Sequence, residues 1–176
     1  LKPTPWADSV IKTLTIDQQI SQLFMVAAYS NKGSDHVNKI VNLVENYNIG
    51  GVIFMQGGPG RQINFYNELL QKSNIPLLTS IDGEWGLPMR LDSSLTYPKE
   101  MTLGATQRPD LVEKMGFQIA EQCKRVGVYV NFAPVVDVNV NSENPIINSR
   151  SFGEDVNLVS VLGTAYMNGL QRGGIM

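Results

Sequence analysis

Cysteine and histidine are nearly absent, with one of each, Cys123 and His36, in 176 residues. A single thiol excludes an internal disulfide and any cysteine-built metal cage. A single imidazole excludes a site with several histidine ligands. Long apolar runs are missing too: the longest, such as residues 23–28, are far too short to cross a bilayer. The opening residues do not read as a signal peptide, and the sequence opens on Leu1 rather than Met. Such an opening points to a trimmed polypeptide whose compartment is not readable from its N-terminus. Neither sign of charge dominates: 14 Lys+Arg against 16 Asp+Glu give a net −2, mixed along the chain. That balance argues against nucleic acid and against an anionic membrane surface as partners.

What is there is an alternation. Short apolar runs at residues 23–28, 52–55, 77–81 and 128–138 read as strands. Between and after them lie helical patterns. Residues 37–47 carry Val37, Ile40, Val41, Val44 and Tyr47 on one face, and residues 62–71 carry Ile63, Tyr66, Leu69 and Leu70. Residues 109–126 open on Pro109, suited to a first turn, with Leu111, Met115, Ile119 and Cys123 spaced four apart. Residues 157–171 form the last helix, and residues 173–176 begin another strand. Residues 4–24 are helical, with Thr15 and Gln18 fitting a capping box, and residues 82–106 show little periodicity. Apolar strands alternating with amphipathic helices predict a parallel sheet covered on both faces. Four strand–helix units and the start of a fifth strand fall short of the about 250 residues of an eight-unit barrel. The chain is therefore a small open-sheet domain or an incomplete barrel. The stop at Ile175-Met176, inside an apparent strand, favours the second.

Two segments carry candidate chemistry. Residues 130–155 run from an apolar strand to Asp137, then into a polar loop with one arginine, Arg150. That loop is longer than a connection needs. Residues 77–81 end in Asp82, followed by Gly83, Glu84, Trp85 and Arg90. An acid at the C-terminal end of a parallel strand points to the face where such folds bind ligands. Carboxylates and arginines hold sugar hydroxyls, and an indole offers a platform to a sugar ring. Two readings of Asp82 stand side by side: a ligand-binding acid, or a buried aspartate capping its loop with Arg90 as its ion-pair partner. Asp137 reads better as a loop cap than as one of a glycosidase's two acids. Residues 57–60 lack the Lys-Ser/Thr of a phosphate loop and read as a plain turn. Cys123 reads as core, and His36 as a solvated residue near a helix start.

Taken in order, these segments resemble the N-terminal barrel of glycoside hydrolase family 3. LTIDQQISQLFMV (14–26), IGGVIFM (49–55), IDGEWGLPMRL (81–91), YPKEMTLGAT (97–106), NFAPVVDVN (131–139) and NSRSFGED (148–155) carry the resemblance. It implies that Asp82 and Arg150 bind the terminal sugar and that Arg90 supports the Asp82 loop, with Glu84 and Trp85 at the pocket rim. NSRSFG and PVVDV resemble the β-N-acetylglucosaminidase branch. A departure is Glu84-Trp85-Gly86, where that branch usually has acid–Gly–Gly. The fold implied is the N-terminal part of a (β/α)8 TIM-type barrel, with residues 1–176 an incomplete catalytic domain. The activity implied is retaining exo-hydrolysis of terminal β-linked N-acetylglucosamine, needing no cofactor and no metal. The acid/base and nucleophile fall beyond Met176, in the remainder of the same polypeptide, so that the segment alone is inactive. Alternatives are a β-glucosidase or β-xylosidase of the family, and a non-catalytic sugar-binding barrel. The family leans to a periplasmic or secreted setting, with the cytoplasm the alternative.

Overall fold

Met25–Tyr29 (β1) and Gly51–Gln56 (β2) show how this sequence makes its sheet. In the computed structural model, which describes residues 4–176, the two pair in parallel, Met25 opposite Gly51 and Ala28 opposite Phe54. Residues 1–3, part of the expected domain, lie outside the described residues. Along β2, Val52 and Phe54 are fully buried, and Phe54 meets Phe65 of the following helix edge-to-face at 6.1 Å. Ile53 and Met55 point the other way and are only half-buried, the period-2 signature of two unlike faces. Leu78–Ile81 (β3) and Val130–Asn131 (β4) complete the sheet in the order β1-β2-β3-β4, every pair parallel. Such an unbroken sequential order is how a (β/α) barrel wall is laid down.

The helices are α1 (Pro5–Ile11), α2 (Ile16–Ser21), α3 (Ser34–Tyr47), α4 (Pro59–Lys72), α5 (Glu100–Thr106), α6 (Pro109–Arg125) and α7 (Val156–Arg172). Their starts are chemically marked. Thr15 and Gln18 form the capping box of α2, Pro109 opens α6, and the Asp155 carboxylate accepts from the Leu158 amide at the head of α7. The helices α6 and α7 touch backbone to backbone. A Cβ on Gly169 would stand 2.2 Å from the Glu113 carbonyl oxygen, so only glycine permits this approach.

Several expectations need correction. The strand expected over 128–138 is confined to Val130–Asn131. Beyond the bond from the Phe132 amide to the Ile81 carbonyl the ladder stops, and Pro134 has no N–H to continue it. Part of that apolarity serves packing instead: Ala133 and Val138 rest on the core, whereas Phe132 and Val136 are exposed. The aperiodic residues 82–106 hold a 3-10 turn (Leu87–Met89) and α5, a helix too short to show a period. The N-terminal helical stretch is two helices, and Leu23 and Phe24, read as strand, precede β1 and are exposed. Tyr47, Leu70 and Leu111 are exposed, while Phe65 and Val112 take inward places. His36 is half-buried rather than fully solvated. Its Nε2 accepts the Tyr29 amide at 3.0 Å, and its ring lies edge-on to Tyr29 and Phe65. Burial, with Lys32 and Lys39 nearby, lowers its pKa, so it stays a neutral acceptor. The last residue runs beside β4 as a fifth strand would: Met176 donates to Tyr129, and the Asn131 amide donates to Met176, both at 2.9 Å.

Candidate functional site

At the end of β3 the chain leaves the sheet and needs new partners for its backbone. Asn131, the residue opposite Ile81 in β4, supplies them: its Oδ1 accepts from the Gly83 amide at 2.9 Å, and its Nδ2 donates to the Gly83 carbonyl at 3.2 Å. A carboxamide standing in for a peptide thus extends the ladder one step past the strand. From the helix layer, the fully buried Tyr166 of α7 donates its hydroxyl to the Glu84 carbonyl at 2.8 Å. Burial holds that phenol well above its ordinary range, so it remains a donor. Between these two anchors the Asp82–Glu84 segment has little freedom.

Asp82 is paired with Arg90, whose Nη2 donates to Oδ2 and whose Nε donates to the Asp82 carbonyl at 3.0 Å. Arg90 is itself held from the neighbouring strand, since the amide of Gly57, just past β2, donates to the Arg90 carbonyl at 3.2 Å. The residue 57–60 turn therefore braces the arginine as well as opening α4. Among the described residues none donates to Asp82 Oδ1, and the side chain is 26% exposed. The acid is held at one oxygen and has the other to offer.

Glu84, expected at the pocket rim, lies beneath it instead. Its side chain is 1% exposed and receives Arg150 as a fork, Nε at 3.1 and 2.9 Å to the two oxygens and Nη2 at 2.6 Å. A carboxylate so buried needs a bidentate cation, and the loop after β4 brings one. Hydrogen bonding to Glu84, with the charges of Asp82 and Glu100 adding, raises the Arg150 pKa further. Arg150 is 31% exposed. Its Nη1 also donates to the Ile146 carbonyl at 3.3 Å, which leaves one N–H on each terminal nitrogen free of protein acceptors. Trp85 is half-buried, with the Lys99 ammonium 5.0 Å from its ring centroid.

The loop bearing Arg150 is closed by Ser151. Its buried hydroxyl lies 2.6 Å from the Asp137 carbonyl and 3.0 Å from that of Gly153, and it accepts from the Gly153 amide at 3.1 Å. Asp137 is exposed and enters the site through this carbonyl. Against the same loop rests α5. A Cβ on Gly104 would stand 1.8 Å from the Phe152 carbonyl oxygen, so the helix backbone sits directly on the loop.

That packing buries Glu100, which sequence reasoning missed along with Asn131, Tyr166 and Ser151. Glu100 is 0% exposed, and neither of its carboxyl oxygens has a hydrogen-bond partner. Burial pushes its pKa up to about 7, opposed by its own backbone amide, with the Glu84 charge adding and Arg150 and Lys99 opposing. Of the four, Asn131 alone left a signal, as a polar residue inside an apolar strand. Among the described residues no group of three His, Cys, Asp or Glu side chains could hold a metal ion.

Comparison with known proteins gives this geometry a family. The profile of the glycosyl hydrolase family 3 N terminal domain matches residues 15–176. Beta-hexosaminidase A of Pseudoalteromonas piscicida is 32% identical over 151 residues, 78% of this chain and 25% of that protein. A Cellulomonas fimi protein named beta-N-acetylglucosaminidase/beta-glucosidase is 26% identical over 170 residues, 97% of this chain and 29% of its own length. The structure of a glycoside hydrolase family 3 beta-N-acetylglucosaminidase from Paenibacillus sp. str. FPU-7 superposes with a TM-score of 0.81 at 33% identity, covering 92% of this chain and 32% of that one. The chain thus spans between a quarter and a third of the length of these proteins. A parallel strand-and-helix wall with its acids on the C-terminal rim, under a profile running from residue 15 to residue 176, makes this chain a member of glycosyl hydrolase family 3, within its N-terminal barrel domain.

Proposed function

We propose that residues 1–176 are the first portion of the catalytic barrel of a retaining exo-β-N-acetylglucosaminidase. In this reading the segment holds the terminal sugar, and the remainder of the polypeptide supplies the acid/base and the nucleophile. The observation that carries it is the pairing of Asp82 with Arg90. The arginine fixes one carboxylate oxygen and the backbone behind it, and Oδ1 is left to accept from sugar hydroxyls. Arg150, gripped by Glu84, offers its two spare N–H groups from the adjoining loop. Both side chains follow parallel strands, at the end where such folds carry out their chemistry. Trp85, partly exposed, is placed to contact the ring or its leaving group.

The choice of N-acetylglucosamine over glucose rests on the named activities of the relatives and on NSRSFG at 148–153. The mechanism implied is double displacement through a covalent glycosyl–aspartate intermediate. A β-glucosidase activity is the second reading, favoured by the double name of the Cellulomonas fimi relative. The test is a paired assay of the intact protein with chromogenic β-N-acetylglucosaminide and β-glucoside, in wild type and in Asp82→Ala. Preferential turnover of the first substrate, lost on the order of a hundredfold or more in the variant, supports the proposal, because a charged hydrogen bond made in the transition state is worth several kcal/mol. Turnover of neither substrate overturns it in favour of a sugar-binding barrel.

A further inference from the structure

Two carboxyl groups and one guanidinium share the enclosure under the Arg150 loop, and only one carboxyl is served. Glu84 takes the Arg150 Nε and one Nη2 hydrogen, whereas Glu100 takes nothing, although it is 0% exposed. Glu100 cannot withdraw, because α5 is held against the loop through Gly104, whose missing Cβ is what lets the Phe152 carbonyl approach. The groups that face it come from every neighbouring element. Glu84 belongs to the β3 loop, Arg150 to the 3-10 turn Asn148–Arg150, Lys99 to the residue before α5, and Tyr166 to α7. Behind Tyr166 stands Cys123 of α6, a thiol that burial pushes up to about 12 and so keeps neutral. The Tyr166 hydroxyl is committed to the Gly83 and Glu84 carbonyls, and Lys99 turns its ammonium to Trp85 and to Ser149 Oγ at 3.5 Å.

We propose that Glu100 is a positioning residue that makes the presentation of Arg150 to the sugar depend on pH. Protonated, it leaves the guanidinium to Glu84 and the two spare N–H groups to the ligand. Ionised, it becomes a buried carboxylate with no side-chain partner. Such a charge is costly without a partner; Arg150 and Lys99 both face it, and Arg150, whose charge acts on Glu100 the more strongly, keeps two N–H groups free of protein acceptors. The guanidinium is then shared between two carboxylates, and the sugar loses its donors. The proton leaves to solvent and no bond other than O–H is broken. A neutral carboxyl, with the ordinary titration of the group displaced to about 7, places the change inside the physiological range.

The inference rests on Arg150 belonging to the sugar site, so its test has one readout that needs no sugar. In the intact protein, the Arg150 Nε–H signal, assigned by its loss in Arg150→Lys, is followed by ¹⁵N NMR from pH 5 to pH 9. A shift with a midpoint near 7 in wild type, absent in Glu100→Gln, supports the proposal. A signal that is pH-invariant in wild type, or that titrates identically in Glu100→Gln, overturns it. The wild-type result alone decides if the variant does not fold. The second readout is the KM for the chromogenic β-N-acetylglucosaminide. If only the protonated form binds, KM rises about tenfold from pH 6 to pH 8 with kcat changing less, and Glu100→Gln gives a flat KM profile. Titration of Arg150 without any glycoside turnover means that the functional reading fails while the Glu100–Arg150 coupling stands. Turnover with a flat wild-type KM means that the coupling fails while the function stands.

Discussion

Arg150→Ala is the substitution whose cost follows most directly from the geometry. The Glu84 carboxylate is 1% exposed, and among the described residues its donors all come from one side chain, at 3.1, 2.9 and 2.6 Å. Deleting the guanidinium leaves a buried charge with no counter-ion, a loss of about 3–5 kcal/mol. The reverse deletion is milder. In Glu84→Gln, Arg150 keeps 31% exposure and can turn to water, so the loss is about 1–3 kcal/mol. Removing both, as Glu84→Gln with Arg150→Ala, recovers much of the first loss, because no unpaired buried charge is then left behind. Denaturant unfolding of the intact protein at pH 7 across the four-member cycle measures the coupling, expected at about 2 kcal/mol or more. A loss below about 1 kcal/mol for Arg150→Ala would refute the reasoning, since the pair would then behave as a surface salt bridge.

Further outcomes concern the packing around that pair. Glu100, with its pKa raised from 4.5 to about 7, binds its proton more tightly folded than unfolded. Its ionisation therefore costs stability as pH rises from about 4.5 to about 7, and the loss is complete above that window, at about 3 kcal/mol. Glu100→Gln should close that gap, so its stability relative to wild type rises between pH 4 and pH 8. A pH series of denaturant unfolding checks this, and a parallel pair of curves contradicts it. Gly104→Ala should displace the Phe152 carbonyl from its contact with α5, since the new methyl would lie 1.8 Å from it. Overpacking of this kind costs about 1–3 kcal/mol, and KM should worsen through the shifted Arg150 loop. Unchanged unfolding and KM would contradict the close contact.

The sheet and its covering helices were legible because periodicity reports burial and these elements are long enough to show it. The α3, α4, α6 and α7 patterns fell within a few residues of their observed limits. Where the signal failed, a specific force had displaced it. In the residue 132–138 run Ala133 and Val138 pack on the core while Phe132 and Val136 are exposed, and Pro134 and the lack of a ladder partner keep it out of the sheet. Helix α5 has seven residues and a glycine in its middle, too little for a period to declare itself. Asp82 and Arg90, eight residues apart, could be paired by eye. Glu84 and Arg150 are separated by 66 residues, and nothing local to either says that one buries the other. Glu100 was less visible still, since an acid at a helix start ordinarily faces water. Its burial comes from α5 lying on the Phe152 loop.

Covalent trapping of the intact protein with a fluorinated N-acetylglucosamine-type donor, followed by peptide mapping of the adduct, tests most directly whether residues 1–176 hold the sugar while the nucleophile lies elsewhere. The expected result is a single glycosylated aspartate outside residues 1–176, formed far more slowly in Asp82→Ala because the sugar is no longer held. An adduct on Asp82, on Glu84 or on Asp137 would contradict it and would make this segment's own carboxylates the reacting groups.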